Sequence, residues 1–106
     1  MFHQNTNRHF ALHRRLIVGR ARHVPPEHVV AAWETPLSRR HRLHKDPPQI
    51  IAAGYDNDGI LLEMTAQDTD RYDDAQGNPL RVIFHAMPAT KPFLRELGVN
   101  ENMIGQ

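Results

Sequence analysis

The chain has 106 residues, no cysteine and a formal charge of +1, which suits one small domain with a modest core and excludes a multidomain enzyme. Lack of cysteine removes disulfides, thiolate metal sites and thiol nucleophiles together, so packing alone must hold the fold and a reducing compartment is acceptable. Apolar runs are only a few residues long and Met1 to Arg8 lack the apolar stretch of a signal peptide, so a soluble cytoplasmic protein with no membrane partner is expected.

Residues 1–20 read as a basic, partly flexible leader in which Phe10, Leu12, Leu16, Ile17 and Val18 are spaced too irregularly to choose between helix and strand. After Val24, Pro25-Pro26 suits a first helical turn, and Val29, Val30 and Trp33 recur at spacings of three and four, which predicts a helix over about 25–34. Thr35-Pro36 ends it, because a residue before proline is pushed out of the α region. Leu37 to His44 reads as a first strand, broken by Pro47-Pro48. Gln49 to Tyr55 and Ile60 to Ala66 flank Asp56-Asn57-Asp58-Gly59, whose residues accept positive φ, and together predict a hairpin. The acid-rich, apolar-poor stretch from Gln67 to Pro79 reads as a long solvated loop. Leu80 to Met87 predicts a strand with Val82, Phe84 and Ala86 on one face and Arg81, Ile83, His85 and Met87 on the other. Lys91 to Leu97 predicts a closing helix with Phe93, Leu94 and Leu97 inward and Gly98 as its stop, and 99–106 is left as a tail. The expected architecture over 21–98 is α+β: a small single domain with a three- to four-stranded antiparallel sheet packed by an N-terminal and a C-terminal helix.

Charge is split along the chain. Residues 1–48 carry nine Lys or Arg against three acids, a net +6, with seven of the eight histidines; the rest carry four against nine, a net −5. Such a split fits a polyanion-binding face, and equally two solvated surfaces of opposite sign. No Gly-rich phosphate loop, His-Glu-x-x-His or nucleophile elbow is present, and Ser38 is the only serine. His9/His13 and His41/His44, the latter near Asp46, have metal-ligand spacing but lack a third fixed ligand, so neither metal nor cofactor is expected.

His85 stands alone in the C-terminal half, in the middle of an apolar strand. It is either a half-buried, hydrogen-bonded histidine or a general acid or base, with Arg81, Lys91 and Arg95 at hand to neutralise a phosphate. Strict alternation puts Leu61, Glu63 and Thr65 opposite Ile60, Leu62 and Met64. Glu63 is then either a solvated strand residue or a carboxylate that orients the His85 ring. Trp33 reads as core or as a stacking platform for a base, and Tyr55 carries the same two readings.

The motif Arg22-His23-Val24-Pro25-Pro26-Glu27 leads into the first helix and Trp33-Glu34-Thr35-Pro36 closes it. Gly54 in the first hairpin strand, Gly59-Ile60-Leu61-Leu62-Glu63 opening the second, and Val82 to Lys91 as strand and helix start complete an order that resembles the BrnT-type toxins. These are small members of the RelE/ParE-like toxin superfamily, and the resemblance covers about residues 20–97. Val-Ile-Phe-His-Ala-Met-Pro-Ala-Thr-Lys is also similar to a Val-Ile-His-Ala-Met-Pro ending of bacterial toxin-like proteins. The resemblance implies a type II toxin, an endoribonuclease that arrests translation and is held inactive by a cognate antitoxin, typically a ribbon-helix-helix protein; homo-oligomerisation stays open.

Matched by position, Arg22 and Trp33 fall on functional positions of the family, whereas the family's Arg-Lys pair falls on Met87 and Pro88 and leaves His85, Lys91 and Arg95 to compensate. The implied reaction has His85 as acid or base in attack by a 2′-hydroxyl, giving a 2′,3′-cyclic phosphate without a metal. Arg81, Lys91 and Arg95 would stabilise the transition state. Arg22, His23, Arg39 and Arg40 would hold RNA, with Trp33 or Tyr55 stacking a base. The other reading is a catalytically inactive RNA- or protein-binding module of the same fold.

Overall fold

The computed structural model describes residues 15–19, 24–72 and 79–103. Strand β1 (Arg15–Val18) is followed by helix α1 (Pro26–Glu34), strands β2 (Pro36–Arg42), β3 (Gln49–Tyr55), β4 (Leu61–Tyr72) and β5 (Pro79–Pro88), helix α2 (Lys91–Leu97) and a short 3-10 turn, Glu101–Met103. The sheet order is β1-β5-β4-β3-β2; β1 runs parallel to β5 and every other pair is antiparallel. The α+β class is therefore as expected, but among the described residues the sheet has five strands and is mixed. Among the described residues no helix is long and apolar enough to cross a membrane.

One helix lies on each face of the sheet. On the α1 face, Val29, Ala32 and Trp33 pack with Ile50, Ala52, Leu62, Met64, Ala66, Ile83 and Ala86. On the α2 face, Phe93, Leu94 and Leu97 pack with Ile51, Ala53 and Leu61. Double coverage is why Ile50-Ile51-Ala52-Ala53 is buried at every residue instead of alternating, as expected for a strand with both faces covered. Gly54 makes the α1 contact possible: a Cβ there would overlap the carbonyl oxygen of Ala32 and come within 3.2 Å of that of Thr35.

Helix α1 takes proline in its first turn, where the missing N–H has no helical partner anyway, and stops at Thr35 before Pro36. Helix α2 stops at Gly98, whose φ of 75° closes the helix by donating to the Arg95 carbonyl.

Three expectations are corrected. Arg15–Val18, assigned above to the leader, is the edge strand β1; Leu16 and Val18 pack onto the α1-face core, and Gly19 N–H donates to Ile83 O at 2.8 Å. The expected loop from Gln67 begins as sheet, because β4 runs on to Tyr72 and pairs Gln67 with Val82 and Asp68 with Arg81; residues 73–78 lie outside the described residues. Finally, Thr65 pairs with His85 but Ala66 with Ile83, so Phe84 is an extra residue in a β-bulge. The bulge reverses the alternation. Ile83 and Ala86 share the α1 face, and Arg81, two residues before Ile83, points away from His85 rather than lying beside it.

Candidate functional site

Three elements meet on the α2 face. Glu63, in the centre of β4, has a buried side chain (6% exposed), and His85, opposite on β5, is open to solvent (39%). His85 Nε2 and Glu63 Oε2 lie 2.7 Å apart. The second carboxylate oxygen, Oε1, accepts the backbone N–H of Thr90 at 2.8 Å and its hydroxyl at 2.6 Å. Thr90 is the residue before α2, and its hydroxyl serves the carboxylate instead of capping the helix. Both oxygens of Glu63 are thus satisfied, as a buried carboxylate requires. With the Glu63 carboxylate as acceptor, the imidazole proton sits on Nε2, and no described residue bonds Nδ1.

The ring stands at the edge of a groove of about 450 Å³ lined by Arg42, Lys45, Gln49, Glu63, Thr65, Phe84, His85 and Phe93. The bulge turns Phe84 toward this groove beside His85, where it is half-exposed. Phe93 lies 6.3 Å from the His85 ring centre, and the Arg42 guanidinium lies 5.6 Å over Phe93. Arg42 is held by two bonds of 2.7 Å to Glu96 and one of 3.0 Å to Gln49, and it keeps the Glu96 carboxyl below its usual value. The Lys45 side chain lines the groove without a hydrogen bond or close ion pair among the described residues, and its charge helps Arg42 to hold the Glu96 carboxyl down.

Of the residues predicted to form the site, His85 and its candidate partner Glu63 line this groove, and the other described ones do not. Arg81 is on the other face, bound to Asp68 at 2.6 and 3.2 Å. Lys91 and Arg95 lie exposed on α2; Arg95 is bound to Glu101 at 3.0 and 3.2 Å, and Lys91 adds its charge near the same carboxylate. Trp33 is a core residue of the α1 face, covered by the Arg39 guanidinium at 4.4 Å, and Arg39 also donates to the Trp33 carbonyl at 2.7 Å. Trp33 therefore offers no ring to a base. Arg40 lies over Gly98, and half-exposed Tyr55 ends β3 away from the groove. Arg22 and His23 lie outside the described residues, as do His9 and His13.

The carboxylate partner for His85 was readable from strand alternation, whereas Arg42, Lys45, Phe84, Thr90 and Phe93 were not singled out. Arg42 and Lys45 stood in the basic half, but nothing local ties them to a histidine some forty residues away.

A second cluster lies where the β3–β4 turn meets the first turn of α1. His28 Nδ1 is 3.1 Å from Asp56 Oδ2 and 3.6 Å from Asp58 Oδ2. The hydrogen bond to Asp56 raises the His28 pKa above its ordinary 6.5. Burial pushes the Asp56 carboxyl up, but the Ile60 N–H, His28 and the Asp58 N–H together outweigh it and leave the value lowered. His41, His44 and Asp46 form no such three-ligand group among the described residues.

The two shifts set a pH window. A raised imidazole contributes stability that is full below about 6.5 and lost as pH rises through the folded value; a depressed carboxyl contributes stability lost as pH falls through its own folded value. In chelator-treated protein the urea midpoint is therefore expected to be highest between the carboxylate and imidazole ranges. Asp56→Asn should flatten the alkaline arm, and an unchanged arm in that variant would remove this tether from the account.

No protein-family model, curated protein or solved structure matches this chain.

Proposed function

We propose that the protein is an endoribonuclease of the BrnT-like toxin type, acting in the cytoplasm and restrained by a cognate antitoxin. The observation that carries this reading is the His85–Glu63 pair at 2.7 Å, braced by Thr90 and opening onto a groove that Lys45 also lines. His85 Nδ1 takes the proton of a ribose 2′-hydroxyl. The 2′-oxygen forms a bond to the adjacent phosphorus as the bond to the 5′-oxygen breaks, and the imidazolium returns its proton to that leaving oxygen. The products are a 2′,3′-cyclic phosphate and a 5′-hydroxyl, and the proton balance closes on His85 alone. Lys45 lies where charge on the phosphoryl oxygens would be met, and exposed Phe84 offers a face to a base.

This assignment moves charge stabilisation from Arg81, Lys91 and Arg95 to Lys45, with Arg42 behind it. A second reading, an RNA- or protein-binding module without catalysis, is favoured by one feature: Met87 and Pro88 occupy the positions of the family's basic pair.

Purified protein free of antitoxin should cleave total RNA at low salt, with or without EDTA. His85→Ala should lower the rate by about a hundredfold or more while circular dichroism stays unchanged. Intact RNA with well-folded protein would support the binding module, and cleavage unaffected by His85→Ala would end the proposed mechanism.

A further inference from the structure

The cluster of His28, Asp56 and Asp58 sits on the α1 side of the sheet, across it from His85, and the proposed ribonuclease makes no use of it. An ion pair between His28 and Asp56 accounts for one contact. It leaves open why Asp58, itself 66% exposed, brings Oδ2 to 3.6 Å of the same ring nitrogen, since one N–H cannot be directed well at two carboxylates. We propose that these three side chains bind a divalent first-row transition ion, with Zn²⁺ the ion best matched to one imidazole nitrogen and two carboxylate oxygens.

The geometry supports this in three ways. Tetrahedral Zn²⁺ with bonds of 2.0–2.2 Å holds neighbouring ligand atoms about 3.4 Å apart. The two contacts at His28 Nδ1, 3.1 and 3.6 Å, bracket that spacing, and all three ligand atoms lie within 4.8 Å of one another. Asp56 is also prepared as a one-oxygen ligand. Its side chain is 3% exposed, and its Oδ1 accepts the N–H groups of Asp58 at 2.9 Å and Ile60 at 2.8 Å, which aims Oδ2 at the site. Hydrogen bonds of this kind behind a ligand orient it and raise metal affinity. Lastly, the cluster opens onto a cavity of about 320 Å³ walled by Val24, Pro25, Ile60, Leu62 and Pro88, with room for water in a fourth position.

The ion displaces the Nδ1 proton of His28, so binding releases that proton and strengthens as pH rises. The sequence hid this site because His28 is 28 residues from Asp56, and only the docking of α1 on the hairpin brings them together.

The test is titration of the full chain with Zn²⁺ against a competing chelator, together with the melting temperature with and without Zn²⁺. One ion per chain and a raised melting temperature are expected. Asp58→Asn, at an exposed position that leaves the fold intact, and His28→Gln should each weaken binding by about tenfold or more. Replacing both His9 and His13 by alanine should leave this ion in place. Zinc binding that is indifferent to Asp58→Asn, binding lost only with His9 and His13, or no binding at all would each overturn the proposal.

Discussion

Gly54→Ala is expected to lower unfolding free energy by about 3 kcal/mol, at the upper end for a small-to-large change in a packed interior. The added Cβ meets backbone, the Ala32 carbonyl, and cannot be accommodated by turning a side chain. Relief requires α1 to lift from the sheet, and α1 carries Val29, Ala32 and Trp33 into the larger core. The single tryptophan reports the change directly, so its near-ultraviolet signal should weaken along with the urea midpoint. Gly59 provides the contrast. Its φ of 79° is strained for alanine, but nothing lies within 4 Å of the added Cβ, so Gly59→Ala should cost only about 1 kcal/mol. Equal losses at the two glycines would mean that α1 does not rest on Gly54 as described.

What was legible in the sequence follows the range of the forces involved. Helix limits are set within a few residues, so Pro26, Pro36 and Gly98 mark α1 and α2 to within a residue. The β3–β4 turn is equally local: Asp56 accepts the N–H groups of Asp58 and Ile60, and Gly59 supplies the positive φ. Strand β1 gave no such signal, because four residues ending at Val18 pair with a strand that starts at Pro79. The polar end of β4 looked like loop since its stability comes from its partner, Asp68 to Arg81 for example, and not from apolar periodicity. The candidate site was legible in half. Alternation put Glu63 on the correct face, but one extra residue at Phe84 reversed the phase of β5 and removed Arg81 from the company of His85. A bulge leaves no mark in hydrophobic pattern when the residues on both sides of it are apolar.

Glu63→Gln is expected to slow RNA cleavage by about a thousandfold while changing stability far less than Glu63→Ala. Glutamine can keep its amide oxygen toward the Thr90 N–H and hydroxyl, which both donate to Oε1 in the native chain. Its NH₂ group then faces His85 Nε2 and donates. The imidazole must respond by accepting at Nε2 and carrying its proton on Nδ1, the nitrogen that the mechanism needs as base. The ring keeps its place against Phe93, and Arg42 keeps its bonds to Glu96 and Gln49. Loss should therefore fall on kcat, with KM nearly constant. Nitrogen NMR of the His85 ring gives a readout independent of any substrate: the proton should move from Nε2 to Nδ1. Alanine at 63 has a different consequence, because it removes the acceptor of the part-buried Thr90 N–H and hydroxyl, at up to about 1–3 kcal/mol for each group left unsatisfied, while the His85 ring nitrogen can turn to solvent. A moved proton with undiminished cleavage would show that His85 is not the base. Diminished cleavage with the proton still on Nε2 would show that Glu63 acts through its charge and not through the tautomer it selects.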